Sequence, residues 1–190
     1  MNRKLLVVVI VAAVLALVVG AAVGRNLISS EKPAPRAEVI RFQDEVSKVS
    51  IAYPASWKLL PLPSGESDVA LRIALKDSAV MQMRSTEVGV EGVTFEKLPV
   101  VRKFTDSLLA EDSRVRLLKE PDPVELGGVP GYRYRYTFRS GSNAGAHDHY
   151  FLFKGRRMIQ LVFETATQAR LAELAPTFQR IAGTFKSEDA

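Results

Sequence analysis

His147 and His149 are the only imidazoles in the 190-residue chain, and they flank Asp148. On a strand, side chains two residues apart leave the same face, so the pair has usable spacing for a metal ion. Such a site needs a third and usually a fourth ligand, and no neighbouring carboxylate is marked out for it. The plainer reading is a strand edge emerging from a loop, with Asp148 solvated or paired to an arginine. A second constellation lies just upstream, where Tyr132, Tyr134, Tyr136 and Phe138 alternate with Arg133, Arg135 and Thr137. Arginines fixed on a strand can grip a carboxylate or a phosphate. With Arg139, Lys154 and the hairpin-tip pair Arg156-Arg157 they would form a patch for anionic lipid or an acidic partner. The alternative is that the tyrosines are core and the arginines lie over neighbouring helices, paired to Asp or Glu.

Other chemistry is harder to find. The chain has no cysteine and no Gly-x-Ser-x-Gly elbow, and no serine can be matched to a histidine base from sequence. Gly127, Gly128 and Gly131 precede a predicted strand, whereas phosphate-cradling glycines lead into a helix. The expectation is a protein that is not an enzyme and carries no cofactor.

The elements that must position these residues begin near Val39. Val49 to Tyr53 alternates as a strand with one buried face does, Pro54-Ala55-Ser56 turns the chain, and Trp57 to Leu60 starts the next strand. Pro61 to Ser67 reads as a loop. Val69, Leu71, Ile73 and Leu75 share a strand face, and Val80 to Val88 is a further strand. Leu98 to Leu109 is predicted as a helix, with Pro99 in its first turn and Val101, Phe104, Thr105, Leu108 and Leu109 on one face. Arg114 to Lys119 is a strand, Gly127 to Gly131 a tight turn, and Ser140 to Ala146 a flexible Gly/Ser/Asn loop. If Gly155-Arg156 is a two-residue turn, Tyr150 and Leu152 share a face with Ile159, Leu161 and Phe163. Phe151 and Phe153 then join Met158 on the other face. Both faces are apolar enough to need cover, which points to a layered α/β arrangement. Thr165 and Gln168 suit a capping box for a last helix through Ala182, and Pro176 is expected to kink or split it. No internal repeat is present.

Ahead of the domain, Leu5 to Val23 is an unbroken apolar run with Asn2, Arg3 and Lys4 before it and Arg25 after it. As a helix it would reach across most of a hydrocarbon core of about 30 Å. Residues 1–25 are therefore predicted to be a single-pass anchor in the cytoplasmic membrane, N-terminus inside, with the domain outside. The alternative is a signal peptide cleaved near Gly20 to Gly24, which would leave the domain secreted. Residues 26–38 are a Pro- and Ser-containing tether, and residues 39–187 form one domain. Three of the 26 basic residues, Arg3, Lys4 and Arg25, flank the anchor, so the remainder is nearly balanced against 21 acidic residues despite the formal +5. Nothing in that balance calls for nucleic acid.

Several of these stretches resemble the PsbP-like domain family, which includes the extrinsic PsbP subunit of the photosynthetic oxygen-evolving complex and small bacterial envelope lipoproteins. They are the strand before Pro54-Ala55-Ser56-Trp57, the mid-chain helix, Gly127-Gly128-Val129-Pro130-Gly131 leading into an aromatic strand, the hairpin around Lys154-Gly155-Arg156, and the closing helix before Thr184-Phe185. The resemblance spans about Phe42 to Lys186. It implies an α+β fold, an antiparallel β-sheet sandwiched by helices, here preceded by one transmembrane helix instead of an acylated cysteine. It also implies a binding or accessory role and brings no catalytic motif. The expected function is a membrane-anchored, extracytoplasmic, non-catalytic module that docks an envelope protein or an anionic ligand. Two alternatives stand beside it: a carrier of a small apolar ligand between sheet and helix near Tyr134, Tyr136 and Phe178, and a metal-dependent hydrolase centred on His147 and His149.

Overall fold

A computed structural model describes residues 38–140 and 143–188. The predicted anchor, Leu5 to Val23, and all but the last residue of the tether lie outside them. Among the described residues no helix is long and apolar enough to cross a membrane.

The described residues build an α+β domain from two antiparallel sheets and two helices. The smaller sheet joins β1 (Val39–Asp44), β2 (Val49–Pro54) and β11 (Lys186–Ser187) in the order β1-β2-β11. The larger has eight strands. Their order starts from β3 (Lys58–Leu59), β4 (Val69–Leu75), β5 (Ala79–Glu87) and β10 (Arg157–Thr165), and continues through β9 (Asn143–Lys154), β8 (Val129–Ser140) and β6 (Arg116–Leu117). The eighth, β7 (Asp122–Leu126), also pairs with β8. The helices are α1 (Leu98–Ala110), entered through a short 3-10 turn at Phe95–Lys97, and α2 (Gln168–Ala182).

Period-two alternation along β8, β9 and β10 divides the core. On one face Tyr150, Leu152, Ile159, Leu161 and Phe163 pack with Leu171, Leu174, Phe178 and Ile181 of α2 and with Val49 and Ile51 of β2. Phe178 stacks on Phe163 at 4.7 Å and meets Trp57 edge-on at 6.2 Å. Each buried phenylalanine of this layer contributes about 1.5–3 kcal/mol by leaving water. On the other face Tyr132, Tyr134, Tyr136, Phe151, Phe153 and Met158 pack with Leu98 and Val101 of α1. The expected hairpin is present: Lys154 pairs with Arg157 across Gly155-Arg156, and Gly155 takes a φ of 55°.

Several local expectations need correction. The Ser140 to Ala146 stretch is not a long loop, because β8 and β9 pair as far as Ser140 and Asn143. Two strands at sheet edges, β1 and β7, had no clear pattern, and the predicted strand from Arg114 to Lys119 shrinks to Arg116–Leu117. Pro176 lies inside α2 without splitting it, since residues on both sides of it are buried against the same sheet face. The α2 cap is Thr167, whose side chain accepts from the Arg170 amide, while Thr165 instead donates its hydroxyl to the Thr167 carbonyl.

Candidate functional site

The two histidines do share a face, and the register places Tyr136 directly opposite His147. The Tyr136 hydroxyl lies 2.8 Å from His147 Nδ1 and 3.1 Å from His149 Nδ1. At the far side, His149 Nε2 is 3.1 Å from Gln160 Oε1, which makes Nε2 the donor and leaves Nδ1 to accept the tyrosine proton. His147 Nε2 stands 3.3 Å from Glu164 Oε2, within ion-pair range but without hydrogen-bond alignment. The imidazole beside it holds the Glu164 carboxyl below its ordinary value. A phenol thus occupies the space where the two Nδ1 atoms converge. Among the described residues no group of three or more His, Cys, Asp or Glu is placed to share a metal ion.

His149 is 6 % exposed and stacks on Phe151 at 3.9 Å. Burial, and then the neighbouring His147, push its pKa down from 6.5 to about 3.

The arginines separate into three places. Arg133 and Asp148 form a buried bidentate pair, Nε to Oδ1 at 2.6 Å and Nη2 to Oδ2 at 2.5 Å, with side chains 10 % and 1 % exposed. Arg133 also lies over the Tyr150 ring at 5.2 Å. Its charge is neutralised in place. Arg135, two residues on, reaches Asp122 at 3.4 Å. Arg139 is exposed near the far end of β8. Arg156 and Arg157 sit at the opposite end of the sheet, at the β9–β10 turn, where Arg156 is 3.3 Å from Glu87 and Arg157 donates to Ser85 Oγ at 3.1 Å. Lys154 does not extend into solvent as patch cations do: its ammonium donates to the Ser47 and Lys48 carbonyls at 2.8 and 2.9 Å, tying the β1–β2 turn to β9. The five arginines therefore do not make one patch.

The hairpin end is an open groove of about 650 Å³ where the β1–β2, β7–β8 and β9–β10 turns meet. Val46, Val93 and Pro130 give it apolar walls, and Lys48, Lys154, Arg156 and Arg157 border them. By contrast, the residues named for a carrier pocket are split by the sheet, with Tyr134 and Tyr136 on the α1 face and Phe178 on the α2 face. They cannot line one cavity.

One network was not visible in the sequence. Tyr134 Oη lies 2.6 Å from Thr105 Oγ1 and donates to Asp106 at 2.7 Å, and Arg102 Nε grips the same carboxylate at 2.9 Å. The only trace of it in the sequence is the i,i+4 spacing of Arg102 and Asp106. It fixes α1 on the sheet.

No family model matches the chain, and no curated protein sequence does. Solved structures do match. The solution structure of cyanobacterial PsbP (CyanoP) from Synechocystis superposes with a TM-score of 0.58 at 15% identity, over 84% of this chain and 98% of that one. The chain has the PsbP-like fold. The crystal structure of LpqN, involved in cell envelope biogenesis of Mycobacterium tuberculosis, gives 0.57 at 12% identity over 80% and 91% of the two chains. The Ran-binding protein Mog1p of Saccharomyces cerevisiae gives 0.51 at 8% over 78% and 95%. At these identities what is shared is the backbone plan.

The buried imidazole makes this PsbP-like domain sensitive to acid. Because His149 titrates near 3 in the fold and near 6.5 when exposed, the unfolded chain binds more protons between those values. Stability from this group is present above about pH 6.5 and falls as the pH drops, by about 1.4 kcal/mol per unit. Between pH 6.5 and 5 the wild type is expected to lose about 1.5–2 kcal/mol more than His149→Gln does. Urea unfolding of both proteins across that range measures the difference, and parallel curves would contradict a neutral buried His149.

Proposed function

We propose that the protein is a non-catalytic docking module, held at the cytoplasmic membrane by Leu5 to Val23, whose extracytoplasmic domain grips an acidic surface of an envelope protein at its hairpin end. The observation that carries the reading is the meeting of Arg156 and Arg157 with Lys48 around an open groove with apolar walls. Charge at the rim and apolar area at the centre is the composition that protein interfaces use. Arg156, with a side chain 59 % exposed, is placed to steer encounter. The groove lies at the end of β1 away from Val39, roughly 17 Å along the strand from where the chain enters the domain. The neighbours' names also support docking as a use of this fold, since one is a Ran-binding protein and another is involved in cell envelope biogenesis. The metal-dependent alternative at His147 and His149 would require Tyr136 to give up both Nδ1 atoms.

The test is proximity crosslinking from the full-length protein in intact cells, beside an anchor-only control. The wild type is expected to capture a defined envelope protein, and Arg156→Ser with Arg157→Ser is expected to lose it at least ten-fold with an unchanged melting temperature. Equal capture by the double variant would remove the hairpin end as the docking surface.

A further inference from the structure

The α2 side of the sheet carries a half-open cavity of about 200 Å³, bordered by β8, β9, the first half of α2 and the Leu118–Lys119 segment. It shares no residue with the hairpin groove. Leu118, Leu171, Ala172 and Ala175 make its apolar wall, and Arg135 and Gln168 supply polar groups. The Arg135 Nε–H is buried with no hydrogen-bond partner. Leaving a buried donor unmade is costly and uncommon, and an arginine donor is among the most demanding. Its neighbours do not relieve it. Asp148, also at the cavity, is already held by both arms of its pair with Arg133. Asp122, which Arg135 reaches only at 3.4 Å, is bound more closely by Lys119 at 2.7 Å. Three cations, Arg133, Lys119 and Arg135, thus share two carboxylates, Asp148 and Asp122, which leaves a net positive charge beside an apolar wall.

We propose that this cavity is a binding site for a small aliphatic carboxylate, gripped by Arg135 and flanked by α2. Guanidinium geometry suits a carboxylate, which takes two parallel N–H donors. The volume falls below that of drug-sized pockets, so the ligand is a short chain rather than a lipid or a peptide. The carboxylate meets Arg135 and the Gln168 amide, and the alkyl chain lies on Leu118, Leu171, Ala172 and Ala175. Binding in this cavity needs no partner at the hairpin end, so the two readings stand or fall separately.

Full-length protein in detergent micelles, with alanine and leucine methyl groups labelled, is titrated with hexanoate, with hexanol and with inorganic phosphate, and followed by NMR. Saturable shifts at Ala172, Ala175, Leu118 and Leu171 are expected with hexanoate, with at least ten-fold weaker binding in Arg135→Gln. Hexanol binding as tightly as hexanoate would show that Arg135 reads nothing. Phosphate binding as tightly would remove the role of the apolar wall. The absence of shifts at these methyls with hexanoate overturns the site. If Arg135→Gln does not fold, Ala172→Leu fills the cavity from an exposed helix position, and retained hexanoate binding in that variant overturns the proposal equally.

Discussion

Replacing Asp148 with Asn is expected to lower the unfolding free energy by about 3–5 kcal/mol, the range for breaking a buried ion pair from one side. The carboxylate is 1 % exposed and accepts from Arg133 through two short bonds, while the Arg133 side chain is itself only 10 % exposed. Asparagine keeps the shape but removes the charge, so the guanidinium is left buried without a counter-ion. For a domain of this size each kcal/mol moves the midpoint by about 2–4 °C, which gives a fall of roughly 6–20 °C in thermal melts. Removing both partners is a different experiment. Arg133→Met with Asp148→Leu deletes the desolvated charges together, and a loss under about 1.5 kcal/mol is expected from that double variant. Were Asp148→Asn to melt like the wild type, the pair would be solvated and Arg133 free to meet a ligand. The outcome therefore also decides whether the arginine ladder includes Arg133 as a binding residue or only as part of the fold.

What the sequence revealed and what it hid both follow from range. The β9–β10 hairpin was legible because its signals are local: alternation on both strands, and a glycine at the turn between Lys154 and Arg157. Helix α1 was legible from Pro99 and the spacing of Val101 and Thr105, both of which are buried. Edge strands were not. In β7, Asp122-Pro123-Val124-Glu125-Leu126 starts on an acid and a proline, which an edge tolerates and a pattern search rejects. The Gly/Ser/Asn composition after Arg139 read as a loop because it lacks strand-forming side chains, yet the β8–β9 register carries pairing through to Ser140 and Asn143. The candidate sites depended still more on register. His147 and His149 were found from spacing, but nothing local says that Tyr136 stands between them. That follows only from Tyr136 pairing with His147 across the sheet. Lys154 and Arg156 look alike as cations of one hairpin. One spends its charge on carbonyls more than a hundred residues away, and the other stays exposed.

Gly131 makes the same point with a larger effect: Gly131→Ala is expected to cost about 4 kcal/mol or more, in the range kept for severe backbone or core damage. In the sequence this glycine closes a Gly-Gly-Val-Pro-Gly turn and reads as a turn residue. In the structure it is already in β8, paired on one side to Val124 of β7 and on the other to Leu152 of β9. A Cβ there would lie 2.9 Å from the Leu152 Cα, and closer still to the Phe151 carbonyl oxygen. The atoms in the way are backbone, held in the β9 ladder, so no rotamer change relieves the clash. Strands on both flanks also prevent β8 from backing away. The remaining escape is a shift of register, and a slip of one residue turns every side chain of β8 to the wrong face. Arg133, Tyr134, Arg135 and Tyr136 follow directly, so the buried pair, the α1 network, the carboxylate cavity and the histidine bridge would be lost together. Gly155→Ala is the matched control. It has a φ of 55° but nothing within 4 Å of its Cβ position, so it is expected to cost only about 1–2 kcal/mol of left-handed strain. Denaturant unfolding of the two variants side by side separates the mechanisms. Equal losses would mean that Gly131 serves turn conformation after all, and that the close approach of β8 to β9 does not set the register of the site-bearing strand.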